Sequence, residues 1–267
     1  MNWPGIARKD FADAIRSKTV LVLLVVFVLV YVSATAVIWS YGDATFEEFT
    51  SLSNSIMVPF VALIGLALGY KSIIGERDSG SIKLVLSLPY SRRDLLVGKF
   101  VGRSLVLAVP ILVGFLAATA MLLVGFESVS PAPLVGYFVL TILYGMGFVS
   151  IGLSLSASTT DQNRVLLGAV GTFILLYLFW VPIVNLGYAV VYRFQLRETP
   201  GWVEFLRLVA SPRTYADLVE TLVNGSGGTV FDVGYWFGTP WFGIVVLVAW
   251  IVAPVAIGYW YLRSADM

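Results

Sequence analysis

The chain has 267 residues, 58% of them hydrophobic and 12% charged, with a net charge of +1 and a mean hydropathy of +0.89. A soluble domain carries about 25% charge, so this composition indicates an integral membrane protein. Cysteine and histidine are absent, which excludes a disulfide framework, thiolate catalysis and any site built on imidazole.

Residues 1–18 read as an amphipathic helix lying along the membrane surface. Trp3, Ala7, Phe11 and Ile15 recur at helical spacing, Pro4 stands early in the first turn, and Arg8, Lys9, Asp13 and Arg16 lie off the stripe. Six long uncharged stretches follow, and they predict membrane-spanning helices near 19–39, 52–72, 104–125, 134–156, 165–190 and 241–262. Ala34-Thr35-Ala36 has the form of a signal-peptide cleavage site. The apolar run continues to Trp39 after a long charged lead-in, so the first span is read as retained. Thr45 and Glu48 have capping-box spacing ahead of the second span. Gly65 with Gly69, and Gly98 with Gly102, are small-xxx-small pairs that permit close helix approach. Pro59, Pro110, Pro182 and Pro254 fall inside spans and are read as tolerated kinks rather than gates. Pro131 and Pro133 are expected to hold the start of the fourth span in a loop.

The longest outer segment, 193–240, predicts two short amphipathic helices. One follows Thr199-Pro200 with the stripe Trp202, Phe205, Leu206 and Val209. The other follows Ser211-Pro212 with Tyr215, Leu218, Val219, Leu222 and Val223, and ends at the glycine-rich stretch from Gly225. No internal repeat is evident. The expectation is an all-α fold: one polytopic membrane domain over 1–267, with an N-terminal interfacial helix, six spans, and short outer helices before the sixth.

Six spans put both termini on one side of the membrane. That side collects thirteen of the seventeen Lys and Arg, while the first outer loop holds only Asp43, Glu47 and Glu48. The positive-inside rule therefore places both termini in the cytoplasm of a plasma-membrane protein.

No Asp, Glu, Lys or Arg lies at a proposed span centre. Ion coupling through titratable side chains needs such a group, so a proton- or sodium-driven transporter is disfavoured. Gly98-Lys99 is followed by Phe100 and has Arg93 where a phosphate loop needs glycine. The chain is not expected to hydrolyse ATP or to act as an enzyme. Lys71 and Lys99 sit at span ends and read as snorkelling residues. No cofactor, metal or nucleic acid is expected, and direct copper ligation is disfavoured with only Met57, Met121 and Met146 in spans.

The segment 73–103 between spans two and three stands out. Together with Lys71, it holds seven of the seventeen basic residues. Glu76-Arg77-Asp78 forms a charged cluster, Gly80 permits a sharp turn, and Ile82, Val85 and Leu86 fall on one helical face that Pro89 terminates. Ser91 then starts the next helix with Asp94 as its capping partner, and Arg92 follows it. A short helix with an apolar face, held between two turns, suits a groove on a soluble partner. The competing reading is a solvated basic loop that only enforces topology.

Glu76-Arg77-Asp78-Ser79-Gly80-Ser81, Val85-Leu86, Leu88-Pro89, Ser91-Arg92 and Gly98-Lys99 resemble the signature of type-2 ABC transporter permeases, with Asp78 and Ser81 as conservative departures. Ile6-Ala7-Arg8-Lys9-Asp10-Phe11 is similar to that family's N-terminal helix, and Ser211-Pro212 with Tyr215 fits its pre-span-six segment. Within the family the chain most resembles the permease subgroup of the nitrous oxide reductase maturation system. The resemblance implies an exporter subunit in which segment 73–103 carries the coupling helix for a cytoplasmic ATP-binding subunit. It further implies a second permease copy, giving a homodimer. An extracytoplasmic accessory protein and membrane lipids are further candidate partners. A membrane anchor that recruits a soluble partner without transport, and a secondary transporter, are the alternatives.

Overall fold

The computed structural model describes residues 3–40, 45–78, 91–125, 130–193, 199–225 and 234–264. All regular structure among them is helical. Six helical stretches are long and apolar enough to cross a membrane, as expected of a multi-pass membrane protein.

Helix α1 (Trp3–Arg16) is separated from the first span, α2 (Thr19–Trp39), by Ser17 and Lys18. Lys18 takes a left-handed conformation, φ 62°, which costs a side-chain-bearing residue roughly 1–2 kcal/mol and breaks the helical run. The second span, α3 (Phe46–Tyr70), starts on a complete capping box. Glu48 N donates to Thr45 Oγ1 at 3.2 Å, and Thr45 N donates to Glu48 Oε2 at 2.9 Å. After a turn the chain forms α4 (Ile74–Asp78).

The third span, α5, is one 34-residue helix from Arg92 to Gly125. It begins well before 104, where the uncharged stretch starts, because Lys99 and Arg103 find carboxylate partners. The fourth span, α6 (Pro131–Ser158), includes both prolines that were expected to lie in a loop. Proline is tolerated in a first helical turn, where its missing N–H would have no acceptor anyway. The fifth span runs as α7 (Gln162–Phe173), a π-helical segment Ile174–Phe179, and α8 (Trp180–Val191). Pro182 cannot donate to the Leu178 carbonyl and its ring crowds it; the wider turn just before takes up the misfit. Two shorter helices, α9 (Gly201–Val209) and α10 (Ser211–Leu218, extended by the π-helical Val219–Val223), precede the last span, α11 (Pro240–Ser264).

Helix α6 is the hub, with α3, α5 and α11 packed on it, while α1 and α2 pack on α5. Small residues make these contacts possible. A Cβ on Gly69 would lie 2.5 Å from the Val149 carbonyl oxygen, and one on Gly152 would lie 2.7 Å from that of Leu66. Gly114 admits the backbone of Phe27 in the same way. Ser150 Oγ donates to the Ile251 carbonyl at 2.6 Å, beside the Trp250 carbonyl that Pro254 deprives of its helical donor.

The two short helices before the last span differ in how deeply they pack. On α9 the buried side chains are Val203, Glu204 and Leu208, and Trp202 of the expected stripe is exposed. Phe205 packs instead beside Phe237 and Phe242. On α10 the stripe points inward as its spacing predicts, apart from exposed Leu222. Tyr215 is fully buried, stacks on Tyr144 with ring centroids 4.7 Å apart, lies 2.8 Å from Thr141 Oγ1 and donates to Asn54 Oδ1 at 3.0 Å.

Candidate functional site

The functional candidate lies at the end of the bundle where α1, the end of α3, the start of α5 and the end of α11 converge. The chain leaves α3 through Lys71–Ile73, and Ser156 of α6 captures this turn. Its hydroxyl accepts from the Ile73 and Ile74 N–H groups at 3.0 and 2.9 Å. Both isoleucines are fully buried, with Leu96, Leu153, Ala157 and Leu262 grouped around Ile73. Two helix-initiating N–H groups that would otherwise lack partners are thus satisfied.

Glu76, on α4, reaches Lys99 of α5: Lys99 Nζ is 2.5 Å from Glu76 Oε1 and 3.1 Å from Asp10 Oδ1 on α1. Arg103, one turn along α5, brings Nε within 2.9 Å of Asp10 Oδ2, a close charge contact without hydrogen-bond alignment. Lys99 is 4% exposed and Asp10 6%. The approach depends on Gly98 and Gly102, where a Cβ would meet Ile6 Cβ at 2.6 Å and Asp10 Cβ at 2.9 Å. Glycine brings the α1 backbone onto α5, and the charges then meet across the contact.

Ser91 and Asp94 cap α5 reciprocally. Asp94 N donates to Ser91 Oγ at 3.0 Å, and Ser91 Oγ donates to Asp94 Oδ2 at 2.7 Å. Arg92 extends to α11, where its guanidinium donates to the carbonyls of Leu262 and Arg263. Both flanks of segment 79–90 are therefore fastened: Glu76 to Lys99 of α5, which in turn holds Asp10 of α1, and Arg92 to α11.

Of the residues singled out in the sequence, Glu76, Ser91 and Arg92 take these positions. Arg77 and Asp78 close α4, with side chains outside the description. Gly80, Ile82, Val85, Leu86 and Pro89 lie outside the described residues. The N-terminal stripe is only partly sheltered: Trp3 and Phe11 are half-buried and Ile15 is exposed, while α1 buries Ile6, Ala7, Asp10 and Ala14. Lys99 is not a snorkelling residue, because its ammonium is enclosed between two carboxylates. Sequence reasoning missed Asp10, Lys99 and Arg103 as a set. The available signal was Lys99 and Arg103 one turn apart beside a glycine pair, facing an N-terminal helix with an acid among small residues.

At the opposite end, Asp217 is buried and paired with Arg213 at 3.0 Å. Burial pushes its carboxyl up to about 6; Arg213 opposes the rise, and Glu204 and Glu220 add to it.

Two curated relatives are similar in sequence. One from Pseudomonas aeruginosa, named as a probable ABC transporter permease protein NosY, is 31% identical over 83% of this chain and 81% of its own. One from Stutzerimonas stutzeri with the same name is 27% identical over 97% of each. The model of the ABC-2 family of transporter proteins matches residues 5–267. With that match running almost from end to end, the chain belongs to the ABC-2 transporter family.

Proposed function

We propose that the chain is the permease subunit of an ATP-binding cassette exporter. Two copies form the translocation path, and a separate ATP-binding subunit docks on the coupling helix within segment 73–103. Both relatives are named as probable ABC transporter permeases, and family membership supports an ATP-binding partner. The charge asymmetry supports cytoplasmic termini in the plasma membrane, with the segment on the motor's side. The longer outer segment 193–240 is where an extracytoplasmic accessory protein would bind.

The observation that carries this reading is the fastening on either side of segment 79–90. Glu76, Lys99 and Asp10 join α4, α5 and α1, and Arg92 joins α5 to α11. A thrust on the segment would reach spans two, three and six together instead of being absorbed at a loose joint. The chain's part is mechanical: it positions and transmits, and hydrolysis takes place on the partner.

The test is co-expression with the ATP-binding subunit. Leu86→Glu is expected to abolish co-purification by placing a charge on the docking face. Glu76→Gln is expected to keep the subunit bound while lowering vanadate-sensitive hydrolysis in the assembled complex. Unchanged assembly and hydrolysis in both variants would overturn the coupling assignment. Docking without any hydrolysis-dependent change in the wild-type permease would favour an anchor instead.

A further inference from the structure

A groove of about 440 Å³ opens between the first turns of α5 and the last turns of α11. Arg93, Val97 and Phe100 line one side, and Val252, Val255 and Tyr259 the other. Each set recurs at helical spacing, so the two stripes run along their helices for roughly 10 Å at 1.5 Å per residue. The chain directions of α5 and α11 place Arg93 and Tyr259 together at the end that carries the termini, with Phe100 and Val252 deeper. Leu96, fully buried, lies at the floor.

Two observations identify what such a groove would hold. Tyr259, Trp260 and Tyr261 are consecutive exposed aromatics on the last turns of α11, the residue type that settles at the membrane–water boundary. The mouth is therefore at headgroup level and the apolar length lies in the hydrocarbon, beyond a soluble partner's reach. The mouth is also basic. Arg93 is exposed at it, Arg92 is fastened beside it to the carbonyls of Leu262 and Arg263, and Arg263 is itself exposed. The described carboxylate on these turns, Asp94, is bonded into its own cap with Ser91. A symmetric contact with a second copy would set this basic rim against itself.

We propose that the groove is a binding site for an anionic phospholipid, one acyl chain lying between α5 and α11 and the phosphate held by Arg93. The site is independent of the coupling assignment.

The experiment is native mass spectrometry of the purified, delipidated protein, titrated with phosphatidylglycerol or phosphatidylcholine of identical chains. The wild type is expected to retain phosphatidylglycerol about fivefold better, the preference that roughly one basic contact supplies near a membrane surface. Arg93→Gln should bring the two lipids close to parity while still retaining both. Val255→Trp, which fills the groove, should abolish retention of both. Equal retention of the two lipids by the wild type would overturn the proposal. So would full retention by Val255→Trp, or a change of oligomeric mass in that variant with lipid binding intact, which would mark the groove as a contact between copies. Should Val255→Trp fail to fold, the headgroup preference of Arg93→Gln decides alone.

Discussion

Lys99 is a cation that an apolar bundle would exclude, and this chain retains it by enclosing it between Asp10 and Glu76. Removing one member of a buried ion pair typically costs about 3–5 kcal/mol, because a charge is left without compensation. Lys99→Met should therefore lower the midpoint of thermal unfolding in detergent sharply. Adding Asp10→Asn should recover part of the loss, and a double-mutant cycle measures that coupling. Asp217 has the opposite character. Its carboxyl is raised from 3.8 to about 6, so the folded protein favours the protonated form. Its contribution to stability is greatest below about pH 4 and is lost as pH rises through about 6. The loss amounts to at most about 3 kcal/mol. Unfolding midpoints measured from pH 4 to 7 should show the wild type losing ground to Asp217→Asn over that window, then running parallel to it. Lys99 was visible in the sequence as a charge at a span end. Its partners were not, because they stand 89 and 23 residues away and pair only once glycine contacts bring the helices together.

Among the helices, the contact between α3 and α6 is the tightest fit. The cost of adding a methyl group there differs from the cost at an open glycine. Gly69→Ala would drive a Cβ into the Val149 backbone, and overpacking of this kind costs about 1–3 kcal/mol. Gly171, whose would-be Cβ meets nothing within 4 Å beyond its chain neighbours and its own helix backbone, is the control. Gly171→Ala should leave stability level or raise it slightly, by about the 1 kcal/mol that separates glycine from alanine in a helix. Melting curves of both variants against the wild type check this difference. The glycine pairs were legible as pairs, but not which helix each would meet, since spacing along one helix carries no information about its neighbour. Helix α10 shows the same boundary: period and proline marked its stripe, while the burial of Tyr215 against Asn54, Thr141 and Tyr144 depends on residues from two other spans.

For the molecule as a whole, hydropathy was sufficient to find six spans, because the bilayer sets their length and composition together. It misplaced where helices begin. The apolar stretch of the third span starts near 104, yet its helix starts at Arg92, where the Ser91–Asp94 capping pair marked it; the fourth starts at Pro131, since a proline in a first turn does not end a helix. The orientation drawn from charge can be tested directly, because the chain has no native cysteine. A single cysteine at Ser226 should react with a membrane-impermeant maleimide on intact cells. One at Ser264 should react only after permeabilisation.

The clamp of Asp10, Glu76, Lys99 and Arg103 contains two anions and two cations. Its formal charge is zero. Each elementary charge carried through a membrane field of 100 mV exchanges about 2.3 kcal/mol with it. Moved as one body, the clamp would exchange none, so the membrane potential would neither assist nor oppose a displacement of these four side chains.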